Sequence, residues 1–403
     1  MSITTREALV SLPPDPSPSA NDAPPLRSVH TSNFSAILQE LGISVLVTTY
    51  QAGKLVMLRP DGDRLNTHFR GFTKPMGLAV DGDRLAIGTS VEIWEYHNAP
   101  AVARQLEPAG THDACFLPRS SVCTGDIQIH EMAWAEARSG ESGIGTQQEP
   151  ELWFVNTRFS CLCTRSNVHS FVPRWKAPFI SALAPEDRCH LNGLCVVAGR
   201  PAFVTALGAS DTPGGWRDNK KSGGVVLEIS SGEMVASGLS MPHSPRWYDG
   251  RLWVLESGSG GFGWIDPATG KYEAVTELPG FTRGLDFCGP LAFIGLSQVR
   301  ESAIFSGIAI AERPLAERSC GVWVVNIQTG KIIAYVKFED AVQEIFALTV
   351  LPGIQHPDVI NDQPRVIADS FVVPDEALDL VPGPLRHAAR ENKEPSIPEE
   401  MLR

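Results

Sequence analysis

Long apolar runs are missing from this sequence. No stretch approaches the roughly 18 apolar residues that a membrane-spanning helix needs, and the opening MSITTREALVSLPPDPSPSA has no apolar core of the kind that a signal peptide carries. Positive charge is also scarce, because 34 Lys and Arg face 46 Asp and Glu, which gives a net charge of −12. Nucleic-acid and anionic-membrane surfaces require a basic footprint. We therefore expect a cytoplasmic protein with no nucleic-acid and no membrane partner.

Familiar catalytic and metal-binding motifs are absent as well. The sequence contains no GxSxG elbow, Walker A loop, HExxH helix, EF-hand loop or CxxC pair. Its 8 cysteines are spread along 403 residues, a distribution that indicates free thiols in a reducing compartment and not a disulfide framework. The usual hydrolase, nucleotide and calcium-loop explanations therefore lack support.

Turn residues, by contrast, are plentiful. The chain has 36 Gly and 31 Pro but only 20% charged residues, a composition that favours many short strands. The repeating unit is clearest between Leu239 and Gly295, where two predicted hairpins follow each other. Their parts are His243–Tyr248, the turn Asp249-Gly250, Arg251–Leu255, a Gly-rich loop, Gly263–Asp266, the turn Thr269-Gly270 and Lys271–Glu277. Two successive hairpins form a four-stranded antiparallel sheet, which is one blade of a β-propeller.

This unit repeats along the chain. The predicted first strands are KPMGLAV (74–80), IHEMAWA (129–135), HLNGLCVV (190–197), HSPRWYD (243–249), TRGLDFC (282–288) and QEIFALTV (343–350). Ile43–Thr49 is a second strand without a first, and Gln343–Val350 is a first strand without a second. Pairing the two closes the ring without an open sheet edge. We therefore predict an all-β fold, a six-bladed β-propeller closed by pairing N- and C-terminal strands in one blade.

Three regions are expected along the chain. Residues 1–32 are predicted to be a disordered Pro/Ser-rich arm, residues 33–374 the propeller, and residues 375–403 a charged Pro-rich tail. Departures from the repeat are a short helix at 33–41, insertions at 107–128 and 296–320, and a polar excursion at 137–150.

The start of each first strand and the loop after each second strand lie at one face of the channel, so their residues converge. His130, His190 and His243 occupy nearly the same position in three consecutive blades. A narrow channel would bring their imidazoles together, and Glu131 or Glu344 could add a carboxylate. Such a set suits a divalent transition metal, namely zinc, iron, copper or manganese, that activates water or binds a substrate oxygen. The alternatives are a metal-free catalytic or binding site, and histidines that hydrogen-bond to strand ends and seal the channel.

Arginines and polar side chains are expected to surround this centre. Arginine suits bidentate recognition of carboxylate or phosphate, so the expected substrate is a small anionic molecule or peptide. We assign catalytic roles to Glu131, Glu344 and Arg283. The predicted substrate-binding residues are Asn156, Arg158, Asn192, Trp216, Arg217, Arg246, Arg300 and Glu301. The alternative is that the arginines pair with neighbouring glutamates in a structural network.

The segment GTHDACFLPRSSVCTGD (110–126) comes just before His130. It is expected to bring His112, Asp113, Arg119 and Asp126 to the same face. A connection of this length suits a lid, or a plug that its own apolar residues hold in place.

Several runs of the sequence resemble a known family. They are RCHLNGL, TALGASDTPGGWR, GLSMPHSPRW, ESGSG, LPGFTRGL, GLSQVRE, ERSCGVWVVN and EIFALTVLPG, and the resemblance covers about residues 33–357. The family is an uncharacterised, mainly bacterial one of conserved hypothetical proteins of predicted β-propeller form. The resemblance implies a β-propeller fold, but it implies no particular reaction or cofactor. More distantly, the architecture resembles six-bladed metal-dependent lactonases and lyases, from which function does not follow.

Two functions are consistent with these residues. The first is an enzyme in which a metal on the three histidines polarises a small anionic substrate held by arginines, by hydrolase, lyase or oxygen chemistry. The second is a non-catalytic module that binds a carboxylated or phosphorylated ligand or a peptide terminus. A bound metal with an open position favours the enzyme, whereas histidines that all pair with the backbone favour the module.

Overall fold

Short antiparallel sheets make up almost all of the protein. The computed structural model describes residues 26–136, 150–299 and 305–383, and within them six sheets each contain four antiparallel strands. Each sheet is one blade, and each inner strand contacts the inner strands of the two neighbouring blades, so the blades form a ring. The protein is a six-bladed β-propeller, as predicted.

The blades follow chain order. After β1 (Ser28–His30) and α1 (Phe34–Leu41), blade 1 contains β2 (Ile43–Thr49), β3 (Lys54–Asp61) and β4 (Arg64–Gly71). Blade 2 contains β5 (Leu78–Asp81), β6 (Arg84–Gly88), β7 (Glu92–Asn98) and, after α2 (Pro100–Ala103), β8 (Ala114–Cys123). Blade 3 contains β9 (Ile129–Ala135), β10 (Glu151–Asn156), β11 (Cys161–Thr164) and β12 (Val172–Lys176).

The second half repeats the pattern. Blade 4 contains β13 (Leu191–Val197), β14 (Arg200–Ala206), β15 (Gly224–Glu228) and β16 (Met234–Leu239), and blade 5 contains β17 (Pro242–Tyr248), β18 (Arg251–Glu256), β19 (Gly261–Ile265) and β20 (Tyr272–Glu277). Blade 6 contains β21 (Phe281–Cys288), β22 (Leu291–Ser297) and, after α3 (Ala309–Glu312), β23 (Cys320–Asn326) and β24 (Ile332–Phe338). The chain then adds β25 (Ala347–Pro352), β26 (Pro357–Val359), α4 (Pro364–Asp369) and α5 (Asp375–Leu378).

The two ends of the propeller sequence close the ring. β25 is the inner strand of blade 1 and pairs antiparallel with β2, with Ala347 opposite Thr48 and Pro352 opposite Ile43. This confirms the predicted closure. Two further strands cover outer edges: β1 pairs with β24 of blade 6, and β26 runs parallel to β8 of blade 2. An uncovered edge would offer unpaired backbone groups to other chains.

Burial explains why the strands have the sequences they have. Every residue of β2, ISVLVTT, is buried, because a strand between two neighbouring blades is covered on both faces and therefore favours β-branched residues on both. Phe154, Phe262 and Phe293 lie between the sheets with 0% exposure. Each such side chain contributes about 1.5–3 kcal/mol through removal of its surface from water.

Some expectations about the connections need revision. Within the predicted insertion 107–128, residues 114–123 form β8, which pairs with β7 as the fourth strand of blade 2, so this part is not a lid. Ser28–His30 form a strand within the predicted disordered arm. The rest of that arm to residue 25, the polar excursion at 137–149 and the tail beyond 383 lie outside the described residues.

Two smaller findings concern the helices and the cysteines. None of the helices in the described ranges is long and apolar enough to cross a membrane. All eight cysteines are free, as expected.

Candidate functional site

The inner strands bring polar side chains to one mouth of the channel. In blades 3, 4 and 5 the first inner-strand residue pairs with the last residue of the next strand, as Ile129 with Asn156, Leu191 with Ala206 and Pro242 with Glu256. His130 and His243 directly follow these residues and therefore share one register. In blade 4 the equivalent residue is Asn192, and His190 lies two residues earlier. The three histidines thus reach the mouth from two backbone positions.

The inner strands are irregular at this mouth. The pairing shifts between His243 and Arg246 in blade 5 and between Thr282 and Leu285 in blade 6, and similar shifts occur in blades 3 and 4. A bulge interrupts the ladder and changes the direction of the side chains beside it, and bulges are common next to functional sites. The polar residues of this mouth therefore lie where the regular pairing is broken.

Hydrogen bonds fix the ring of His130. Its Nδ1 lies 2.8 Å from the Gln128 carbonyl oxygen and 2.7 Å from Thr157 Oγ1. The Thr157 hydroxyl donates its own proton to the Leu191 carbonyl at 2.6 Å, so it accepts from the ring. Nδ1 therefore carries the proton of the neutral imidazole, and Nε2 offers a lone pair. That Nε2 is buried and has no partner among the described residues.

The ring of His243 is held by the same arrangement. Its Nδ1 lies 2.9 Å from the Met241 carbonyl oxygen and 3.0 Å from Ser257 Oγ, and Ser257 donates to the Thr282 carbonyl at 2.6 Å. Met241 and its counterpart Gln128 both adopt left-handed φ values, of 48° and 50°. Such φ values are uncommon outside glycine and cluster at functional sites. They occur here at the two residues whose carbonyls accept from the histidines.

A carboxylate fixes His190. The Nδ1 of this ring lies 2.9 Å from Asp187 Oδ1, while Asp187 Oδ2 accepts from Trp216 Nε1 at 2.9 Å and from Arg217 at 3.2 Å. Burial raises the pKa of Asp187, but attraction and hydrogen bonds from His190 and Trp216 outweigh it, so the pKa falls. An ionised Asp187 holds the proton on Nδ1, and Nε2 of His190 is again the free nitrogen.

Aromatic contacts bring four blades together at this point. The ring centroids of His130 and His190 are 5.0 Å apart, and those of His130 and Phe346 are 4.8 Å apart. The Arg283 guanidinium carbon lies 3.6 Å from the Phe346 ring centroid, within the range of a cation–π contact. We call His130, His190, His243, Arg283 and Phe346 the histidine mouth.

Charge in the histidine mouth is concentrated on Arg283. Burial and the positive charge of Arg283 lower the pKa values of His130 and His243 well below the usual range, so both rings are neutral near pH 7. Burial lowers the pKa of Arg283 to about 9, with Glu131 opposing the shift, so Arg283 remains charged. Arg283 is packed within the protein and remains partly exposed to solvent. Within the described ranges no carboxylate forms an ion pair with it.

Glu131 is committed to a contact inside the channel. Its Oε2 lies 2.9 Å from Arg246 Nη1 and accepts from the Leu194 backbone N–H at 3.0 Å. Arg246 also lines a cavity of about 210 Å³ at the opposite mouth, together with Trp247 and Asp286. The Glu131–Arg246 pair therefore lies between the two mouths. Glu131 acts on the histidine mouth through its charge, which raises the pKa of Arg283. Glu344, the other predicted carboxylate, is partly buried, which raises its pKa.

Two predicted ligand residues have structural contacts instead. The Asn192 amide accepts from Thr205 Oγ1 at 2.6 Å and donates to the Pro242 carbonyl at 3.0 Å, so it links blades 4 and 5. Asn156 is fully buried and accepts from the Phe159 backbone N–H at 3.1 Å. The Nδ2 of Asn156 is buried and has no hydrogen-bond partner among the described residues.

The remaining predicted residues lie around the rim. Arg158 pairs with Asp126 at 2.6 Å, and Arg217 pairs with Asp187. Trp216, predicted to bind substrate, is only 3% exposed, and its ring centroid is 4.5 Å from that of His190. Arg300 and Glu301 lie outside the described residues. Of the residues in 110–126 that were expected at this face, His112 lines an outer cavity and Asp113 caps the turn before β26.

Four residues of the site are not among the predicted catalytic, substrate-binding and metal-ligating residues. Thr157 and Ser257 accept from histidines, Asp187 orients His190, and Phe346 supports Arg283. Asp187 carried a usable signal, because it precedes His190 by three residues in the run DRCHLN.

The structure allows a direct test of the predicted metal centre. Each of the three imidazoles donates Nδ1–H to an acceptor and offers Nε2, which is the arrangement usual for metal-bound histidine. Across residues 26–136, 150–299 and 305–383, however, no three His, Cys, Asp or Glu side chains are grouped so that they could hold a metal ion. The chemistry of the donors fits a metal, but their placement does not form a complete group of ligands.

Fold and site together define a six-bladed β-propeller with a polar channel mouth. Residues 32–360 match the family described as "Domain of unknown function (DUF4915)", and the chain belongs to this family. This confirms the resemblance to an uncharacterised propeller family. No curated protein matches the chain.

Two solved structures are similar to the chain at low identity. One belongs to a Nidogen/Laminin complex, with 9% identity and a TM-score of 0.46 over 77% of this chain and 99% of that one. The other is a protein of unknown function from Bacteroides caccae, with 11% identity and a TM-score of 0.46 over 77% of this chain and 98% of that one. Both are too distant to bear on function.

Proposed function

We propose that the histidine mouth is the active site of an enzyme for a small anionic substrate that carries a hydroxyl or amine. Arg283 would pair with the anionic group, and the free Nε2 of His130 would accept the proton of the neighbouring hydroxyl or amine. The observation that carries the proposal is that, among the described residues, the buried Nε2 of His130 has no hydrogen-bond partner and the Arg283 guanidinium in the same mouth has no ion pair.

The charge of Arg283 supports the anionic part of the substrate. A cation that is largely removed from water is costly unless an anion accompanies it. Stacking on Phe346 holds the guanidinium plane and leaves its N–H donors for a ligand. A carboxylate matches that fork of donors, and so does a phosphate.

The histidines support the protic part. With Nδ1 committed to backbone and hydroxyl acceptors, His130 and His243 can accept at Nε2 without changing tautomer. A substrate hydroxyl that donates to Nε2 of His130 would satisfy a buried acceptor, and an oriented imidazole of this kind acts as a general base.

A divalent transition metal is the second candidate for the same nitrogens. His130, His190 and His243 would hold it through Nε2, and the metal would polarise a substrate oxygen. Zinc, iron, copper and manganese all accept imidazole ligands. The shared orientation of the three rings favours this candidate, and the absence of a preformed group of three ligands in the described part of the chain counts against it.

A non-catalytic binding module is the remaining alternative. It is favoured by the commitment of Glu131 to Arg246 and of Asn192 to the blade interface, which leaves few groups for chemistry. In this case Arg283 alone would account for ligand binding.

The ligand proposal can be tested by calorimetric titration with acetate and with glycolate, which differ by one hydroxyl. We expect wild type to bind glycolate about tenfold more tightly, because a site built to pair with a hydroxyl discriminates against its absence. Arg283→Met should lose both ligands, and His130→Phe should remove only the preference for glycolate. Arg200→Met, at an exposed arginine at the start of β14 that pairs only with Glu136 among the described residues, is the matched control. Equal affinities for the two acids in wild type would contradict the protic part.

The metal candidate requires its own measurement. Protein purified without a histidine tag or chelator is compared by elemental analysis with the double variant His190→Ala, His243→Ala. About one transition-metal ion per chain, lost in the double variant, supports the metal centre. No metal in wild type, even after reconstitution, rejects it and leaves the acid–base site.

A further inference from the structure

A second cavity lies on the outer side of the ring, between blades 1 and 2. Its volume is about 680 Å³, and its walls come from β3, β4, the segment 105–112, the turn before β26, and α4. Its lining shares no residue with the histidine mouth. We call it the outer cavity. A volume of this size is in the range of small-molecule sites.

One carboxylate in this cavity is fully committed. Asp358 is 4% exposed and receives two bonds from Arg70, Nε to Oδ1 at 2.9 Å and Nη2 to Oδ2 at 2.5 Å. Nε2 of His68 lies 3.2 Å from the same Oδ1. Asp358 therefore neutralises Arg70.

A second arginine, Arg59, forms no ion pair with a carboxylate of the described residues. Arg59 is 7% exposed and donates to Asn66 Oδ1 from Nε at 3.0 Å and from Nη2 at 2.8 Å, and to the Pro357 carbonyl oxygen from Nη1 at 3.1 Å. All of these acceptors are neutral. Hydrogen bonds to neutral oxygens satisfy the donors but do not balance the charge.

The carboxylates nearby do not correct this imbalance. Asp61 and Glu107 line the cavity from exposed positions, where water screens them. Asp113 is exposed and accepts from the backbone N–H groups of Gln355 and His356. The buried part of the outer cavity thus contains two guanidinium groups and one carboxylate.

The lining also contains apolar and further basic groups. Leu106, Pro108 and Val366 provide an apolar wall, and His112 and His356 are within the same lining. A ligand with one anionic group and a small apolar body would match both features.

We propose that the outer cavity binds a small molecule that carries a phosphate or carboxylate, with the anionic group on Arg59 and the apolar part on Leu106, Pro108 and Val366. The proposal is independent of the function assigned to the histidine mouth. It would give the protein a second ligand site, formed by β3 and β4 of blade 1 together with segments that lie outside the repeated blade pattern.

The test uses the full chain with phenyl phosphate and inorganic phosphate as probes, titrated by calorimetry. We expect phenyl phosphate to bind at least tenfold more tightly than phosphate, because only the former has a body for the apolar wall. In Asn66→Asp the new carboxylate occupies the place of the acceptor for Arg59 and removes the surplus charge. This variant should bind phenyl phosphate at least tenfold more weakly and melt at a higher Tm.

Asn326→Asp is the matched control. Asn326 also uses only its Oδ1 as an acceptor, in the hairpin turn after β23 of blade 6, so this variant should bind as wild type does. Arg283→Met should retain phenyl phosphate binding, and Asn66→Asp should retain any glycolate binding at the histidine mouth. Unchanged binding in Asn66→Asp, or no binding of either probe to wild type, would overturn the proposal.

Discussion

The histidine mouth and the outer cavity both surround an arginine with histidines, but they are built from different parts of the chain. The histidine mouth uses the start of inner strands, so its residues come from blades 3, 4, 5, 6 and 1 at related backbone positions. The outer cavity uses β3 and β4 together with the segment 105–112 and the chain after β25. A ring of similar blades therefore yields one site from repetition and another from additions to it.

The two sites also hold their charges differently. In the histidine mouth each ring is fixed through Nδ1 by an acceptor of its own, and Arg283 rests on the Phe346 ring. In the outer cavity the Asp358 carboxylate contacts both Arg70 and His68, and the Asn66 amide oxygen accepts from Arg59. The comparison indicates that the histidine mouth is held by packing and by fixed histidine tautomers. The outer cavity is held by the balance between its basic side chains and its carboxylate. Four stability measurements test this distinction.

Truncation of the packing residue should have the largest effect. Phe346 is 7% exposed and contacts both His130 and Arg283. Phe346→Ala should lower the free energy of unfolding by about 3–5 kcal/mol through lost burial and a cavity, measured by urea unfolding. Val366→Ala, at the partly exposed wall of the outer cavity, should cost about 1 kcal/mol or less. Equal costs would refute the claim that packing organises only the histidine mouth.

Removal of the shared carboxylate should come next and should depend on pH. Burial raises the pKa of Asp358, but the contacts from His68 and Arg70 outweigh it and hold the pKa at about 2. A depressed pKa stabilises the folded state above the unfolded value near 4, and this stabilisation is lost as the pH falls from about 4 to about 2. Asp358→Asn should therefore cost about 2–3 kcal/mol at pH 7 and flatten that part of the stability profile. A profile as steep as that of wild type would count against the charge-balance interpretation.

Loss of the hydroxyl that fixes His130 should have a smaller effect. Thr157→Val leaves the Leu191 carbonyl without its donor and should cost about 1–2 kcal/mol, whereas Thr157→Ser should be close to wild type. Thr269→Val removes an exposed hydroxyl in the turn after β19 and should change stability by about 0.5 kcal/mol or less. Nitrogen chemical shifts of the imidazoles should show His130 protonated at Nδ1 in wild type. A proton on Nε2 would contradict the assigned tautomer.

The rim ion pair should have the smallest effect. Arg217 is 47% exposed at its side chain and pairs with Asp187 at 3.2 Å. Solvent screens such a pair, so Arg217→Gln should cost about 0–1 kcal/mol by urea unfolding. A larger cost would mean that the rim arginine is as important to the site as the groups inside the mouth.

Much of the fold could be predicted because the same pattern of strands and turns recurs along the sequence. The run IHEMAWA was predicted as a strand over residues 129–135, which are the bounds of β9, and the unpaired strands at the two ends predicted the closure of β25 on β2. The register of the repeat also predicted that His130, His190 and Arg283 would lie at one mouth.

Other features depend on contacts that a single sequence does not display. Trp216 was predicted to bind substrate, but Asp187 accepts its indole N–H and the ring packs against His190. Asn192 has the same backbone position in blade 4 as His130 in blade 3 and His243 in blade 5, yet its amide hydrogen-bonds between blades 4 and 5. Arg59 lies opposite Asn66 across the β3–β4 pair, and the rest of its cavity comes from the segment 105–112, the turn before β26 and α4, which are distant in the sequence.

Ring closure has a consequence for how the protein is made. Thr48 of β2 contacts Ala347 of β25, 299 residues later in the chain. At a synthesis rate of about 5–20 residues per second, β2 waits about 15–60 s on the ribosome before its partner emerges. During that interval the inner edge of ISVLVTT, which is entirely buried in the finished ring, is open to pairing with other chains. The strand that completes the first blade is thus also the one that ends the period in which a nascent chain is most exposed to aggregation.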